Sequence, residues 1–231
     1  MKMEMAPSSL RRTRLAAGLT QQQAATRLGV SQPYYSQLET SARRVPPALA
    51  LAAVKKLRMS PLALPLPRLS SGVPPFKADD LAGALGALGY PGFAHVARPK
   101  MLLNPAELIA RALAHEDLDV RLVEAVPWLL ATFPDLDWRW LIAQCRVLNF
   151  QNRLGYLVEL ALSLSPQNKD CASLVNALQE LNLSRLAGEG TLCRESMPEA
   201  ERKWVRKHRP ASAVHWNLLT TLTADQLTNA A

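Results

Sequence analysis

Apolar positions recur along this 231-residue chain at helical rather than alternating spacing. Leu118, Leu122, Val126, Leu129, Leu130 and Phe133 follow steps near 3.6 residues, predicting a helix that Pro127 kinks or splits. Asn104-Pro105-Ala106-Glu107 reads as a helix start, with Asn at the N-cap, Pro at N1 and Glu at N3. Asp137 caps a helix carrying Trp138, Leu141, Ile142, Cys145 and Leu148 on one face. Asn149 is placed to cap the next, which carries Phe150, Leu154, Leu157, Leu160, Ala161 and Leu164; a further helix fits Ala172 to Leu183. From Leu186 to Asn217 the period weakens and Gly188, Gly190 and Pro198 intervene, as in short strands or a small appended unit.

The first quarter has a tighter rhythm. Ser9 caps a helix ending before Gly18. Thr20 with Gln23 forms a capping box for a short helix from Gln21 to Leu28, and Gly29 supplies a left-handed turn. Ser31 starts a third helix with Pro33 at N2, where a missing amide costs little, and Pro46-Pro47 start a fourth carrying Leu49, Ala53 and Leu57. Leu28, Val30, Tyr35 and Leu38 are expected to share a small core.

Composition supports this picture. Leu and Ala number 75, against 15 Ile and Val, so the chain should be mainly α. The expected architecture is a four- to five-helix head plus a helical C-terminal domain with room for short strands near its end. Between Met59 and Phe76 stand Pro61, Pro65, Pro67, Pro74 and Pro75 around a Ser70-Ser71-Gly72 joint. This divides the chain into a head (1–58), a proline-rich linker (59–76) and a C-terminal domain (77–231). The apolar stretch from Leu118 to Phe133 is broken by Asp119, Arg121, Glu124 and Pro127, so no membrane span is expected. The first residues lack a continuous apolar run, so no secretory signal is expected either. Cys145, Cys171 and Cys193 are odd in number and far apart, which suits reduced thiols and a cytoplasmic location.

The charge is uneven. Residues 1–58 hold 10 Lys/Arg and 2 Asp/Glu, whereas the rest holds 17 of each. The whole net excess of +8 therefore lies in the head, which suits attraction to a phosphate backbone.

The stretch LTQQQAATRLGVSQPYYSQLE resembles the Cro/repressor-type helix-turn-helix, the XRE family, in spacing and residue type. The resemblance covers about a quarter of the chain. It implies a buried ion pair between Arg14 and Glu39 tying helix 1 to the recognition helix. Ala24 stands where the family usually has Leu, and Ser41 where Gly commonly follows the Glu. A recognition helix presents its N-terminal residues to the major groove. Gln32 comes first and matches adenine N6 and N7, with Pro33 beside it. Tyr34 and Gln37 share its face, Gln21 is expected near a phosphate where it buttresses Gln32, and Arg43 and Arg44 follow where the backbone passes. Gln37, Arg43 and Arg44 also fit an ordinary solvated surface, and Tyr35 reads as core. Such heads bind double-stranded DNA as homodimers on two half-sites.

The C-terminal part offers no Walker loop, GxGxxG or nucleophile elbow, and its His and Cys residues lack ligand spacing. No enzyme, no cofactor, no catalytic residue and no metal are expected. Trp128, Trp138 and Trp140 suit a helical core or the lining of a pocket; the charged run from Glu199 to Arg209 suits a solvated helix face or a contact with DNA or a partner. Residues 137–164 are similar to a helix pair of AbiEi-type antitoxins, through the Asn149–Leu157 stretch with Arg153, Gly155 and Tyr156, and Trp216-Asn217 loosely matches the family's late Trp/Asn end. That resemblance implies a repressor of its own promoter that counters a nucleotidyltransferase toxin encoded nearby. In structural terms Gly155 lets two helices approach, and Arg153 pairs with Glu159 or a neighbouring helix. The expectation is a sequence-specific, nucleoid-associated repressor and antitoxin. The alternatives are an antitoxin that masks its toxin by direct binding, or a ligand-sensing regulator.

Overall fold

In the computed structural model residues 7–40, 42–67, 76–98, 102–164 and 171–227 are described, and helix dominates them. They fall into two compact units. The first takes the described residues up to 67 with Leu102–Asn104, and the second the rest.

The first unit is α1 (Pro7–Ala16), α2 (Gln21–Leu28), α3 (Gln32–Glu39), α4 (Pro47–Leu57) and a 3-10 turn over Pro61–Ala63. Thr20 and Gln23 form the capping box that starts α2, and Gly29 ends it at φ 73°. Ser31 precedes α3, but its side chain makes no cap bond. Helix α1 begins at Pro7, so Ser9 lies inside it. Leu10, Leu19, Leu28, Tyr35, Leu38, Ala53 and Leu57 make the core, with Val30 and Leu49 packed against it. Ala24 and Ala25 are fully buried, so the small side chains bring α2 close to its neighbours. Met59 is buried in the same core and Ala63 packs on it, so order extends into the segment that proline content marks as linker. Ser60 caps the 3-10 turn, and Asn104 donates to the Leu62 and Leu64 carbonyls. Ser41, the Ser70-Ser71-Gly72 joint, Pro74 and Pro75 lie outside the described residues.

The second unit contains α5 (Ala78–Ala87), α6 (Pro105–Leu113), α7 (Val120–Thr132), α8 (Trp138–Val147), α9 (Gln151–Leu164), α10 (Ala172–Leu183), α11 (Glu199–His208) and α12 (Ala211–His215). Strands β1 (Gly190–Thr191) and β2 (Leu218–Leu219) pair in parallel. Helix α9 is the axis: α7, α8, α10 and α12 pack on it, and Leu154, Tyr156, Leu157 and Val158 are fully buried. Gly155 makes one of these approaches possible, because an added Cβ would collide with the Trp216 ring. Asp119 caps α7, which runs unsplit through Pro127. Buried Val126, Leu129 and Leu130 anchor both sides of that proline.

Asn149 does not cap α9. It adopts φ 59° in the turn after α8, and Phe150 accepts the first helical bond from Leu154. The short connection needs a left-handed residue, which Asn tolerates better than most. Arg153 does not pair with Glu159 but does reach a neighbouring helix, at the Leu113 carbonyl that ends α6. Its guanidinium meets Glu195 at 2.8 Å and donates to the Thr191, Leu113 and His115 carbonyls, while Glu159 accepts from Trp216 Nε1. Glu107 pairs with Arg111 one turn on.

Candidate nucleic-acid interface

The head places its polar side chains on one hydrogen-bonded chain. Arg14 Nε, from the last turn of α1, meets Glu39 Oε1 at 2.6 Å, and its Nη1 donates to the Leu19 carbonyl. Glu39, at the end of α3, is buried. Its other oxygen accepts from Gln21 Nε2 at 2.8 Å, and Gln21 Oε1 in turn accepts from Gln32 Nε2 at 2.9 Å. Three helices thus converge on one carboxylate, and the far end of the chain is the first residue of α3.

The electrostatics favour the ionised form of both partners. Burial pushes the Glu39 carboxyl up, but hydrogen bonds from Arg14 and Gln21 outweigh this and hold it below the ordinary range. The Glu39 hydrogen bond raises Arg14 against the opposing effect of burial.

Gln32 Nε2 has two protons and spends one on Gln21. The second proton and the Oε1 acceptor remain. Together they form the donor–acceptor pair that an adenine edge requires. Around Gln32, Pro33 and Gln37 are exposed and Tyr34 is half-buried. Tyr34 packs partly on the head core, and the Arg43 guanidinium lies 5.6 Å from its ring centroid. Arg43 N also donates to the Gln37 carbonyl, which folds the loop back onto α3. Arg44 is exposed beside it, and Tyr35 is fully buried. Among the described head residues the only acid is Glu39, and Arg14 neutralises it. The other described cations of the head are exposed. Sequence reasoning missed the bond from Glu39 to Gln21, which closes the chain; it depends on the angle between α2 and α3, to which no local pattern points.

In the second unit the buried polar convergence is the one around Arg153 and Glu195, which ties Leu113, His115 and Thr191 together. Trp128 sits edge-on to Tyr90 and Phe133, Trp138 donates to the Pro134 carbonyl, and Trp140 is buried, so these three serve packing. Among the described residues no group of three or more His, Cys, Asp or Glu is placed to hold a metal ion. No described helix is long and apolar enough to cross a membrane.

Residues 8–64 match the family model described as a helix-turn-helix domain. No curated protein and no solved structure matches the chain. The matched segment coincides with the basic, hydrogen-bonded head, and a domain of this kind points to a DNA-binding regulator.

Proposed function

We propose that this protein is a sequence-specific transcriptional repressor of the XRE type. It binds double-stranded DNA as a homodimer on two half-sites about one helical turn apart. The observation that carries the reading is the bonded chain from Arg14 through Glu39 and Gln21 to Gln32. It fixes the first side chain of α3 before any ligand arrives, so little side-chain entropy is lost on docking. In this reading Gln32 reads a base edge with Pro33 and Tyr34 against it. Gln37, Arg43, Arg44 and the start of α2 at Gln21 meet phosphates. One small head buries too little surface for a unique site, which is the argument for a dimer.

The resemblance of residues 137–164 to AbiEi-type antitoxins extends the proposal. The promoter bound is the protein's own, and a nucleotidyltransferase-type toxin is encoded beside it. A gel shift and footprint on the DNA upstream of its gene, with scrambled competitor, tests this. A roughly palindromic protected site that survives competitor is expected. Uniform binding that competitor abolishes would overturn the autorepressor reading.

A further inference from the structure

A cavity of about 590 Å³ lies within the second unit, between the start of α7, helix α11 and strand β2. It plays no part in DNA binding as proposed above. Its volume is in the range of small-molecule sites, roughly 300–1,000 Å³. Val120, Val123 and Leu219 give it apolar walls, and the Trp204 ring completes them. Val120 is 60% exposed and Trp204 55%; His208 stacks on one face of the Trp204 ring, which leaves the other face open.

The charged lining is one-sided. Arg194 is the only basic side chain in it, and Glu201 holds Arg194 through two hydrogen bonds. Asp117 accepts from Ser196, and Asp119 caps α7. Glu124 differs from these acids: it is half-buried and makes no hydrogen bond or ion pair among the described residues. Burial lifts its carboxyl above the usual range, Arg121 opposes this, and Asp119 adds to it. A carboxylate partly stripped of water with no hydrogen bond to hold it is a standing cost, which a cation entering the cavity would reduce.

We propose that this cavity binds a small organic ammonium ion, its cationic group paired with Glu124 and its apolar body against Val120, Val123 and Trp204. Carboxylate and indole are complementary to one amphipathic cation, since the ring face attracts positive charge as the walls take up the hydrocarbon. Anions meet four acids against one arginine and are disfavoured. The proposal does not depend on the DNA-binding reading, because ligand binding is measured directly.

The test is calorimetric titration of the full chain with phenethylammonium, with neutral phenethyl alcohol, and with phenylacetate. The ammonium ion should bind saturably, the alcohol about tenfold or more weakly, and phenylacetate not at all. Glu124→Gln should weaken the ammonium ion about tenfold and leave the alcohol unchanged, with an unaltered circular dichroism spectrum. Equal affinity for ammonium and alcohol, or an unchanged ammonium affinity in Glu124→Gln, would overturn the proposal. So would the absence of saturable heat up to about 10 mM ammonium, at which a site with a Kd of about 1 mM is nearly filled.

Discussion

Gln32 is the residue on which base readout turns. Its Nε2 donates one proton to Gln21, which leaves the second proton and the Oε1 acceptor for a base edge. Gln32→Ala is expected to cost about 1–3 kcal/mol on the specific site and almost nothing on scrambled DNA. Equal losses on both, measured by fluorescence anisotropy, would assign Gln32 to the backbone instead. Glu39 is the structural counterpart. Glu39→Ala leaves Arg14 and Gln21 without their partner in a site whose side chains are 12% and 3% exposed for Arg14 and Glu39. Breaking such a pair from one side costs about 3 kcal/mol, so hydrogen-exchange protection of α3 should fall about a hundredfold. The sign of the pH effect follows from the same carboxylate. Its folded pKa lies below the unfolded one, so protons bind more readily to the unfolded chain. This stabilisation is complete above the ordinary Glu value of about 4.3 and is lost as pH falls through the folded value. Urea unfolding of the wild type at successive pH values should show that loss, and Glu39→Gln should lack it.

At the scale of elements, α9 is defined by what presses on it. Gly155→Ala brings about 1 kcal/mol of helix propensity but drives a methyl group into the buried, rigid Trp216 ring. Overpacking of that kind costs about 1–3 kcal/mol, so the net effect is destabilising. Trp fluorescence is a suitable probe, because Trp128, Trp138, Trp140, Trp204 and Trp216 all lie in the second unit. The urea midpoint should drop, and a midpoint at or above wild type would contradict the packing described. The same helix marks where sequence reasoning stops. Starts and stops written in local chemistry were readable: the Thr20–Gln23 box, the turn at Gly29, Asp137 before α8, and the limits of α10. The Arg14–Glu39 pair, 25 residues apart, came from the family resemblance, and the Gln21–Gln32 contact from the spacing of α2 and α3; the link between the two pairs was not readable. Asn149 misled because capping and left-handed turns favour the same residue type. Arg153 found Glu195, 42 residues further on, and no periodicity points across such a distance.

Across the whole molecule, charge is segregated by unit, and that carries its own consequence. Residues 1–58 hold all of the net positive charge of +8. Phosphate binding should therefore reside in the head, although α11 exposes Lys203 and Lys207. Removing Arg43 or Arg44 is expected to reduce the slope of log K against log salt by about 1 each. Lys203→Ala with Lys207→Ala should leave it unchanged; a shallower slope in that variant would place part of the phosphate contact on α11. The central claim is that the head recognises a particular duplex sequence. Selection of the full-length protein against random duplexes at physiological salt tests it most directly. One enriched motif with two related half-sites about 10 base pairs apart is predicted, its enrichment abolished by Gln32→Ala. Recovery of unenriched DNA by a folded protein would contradict the account.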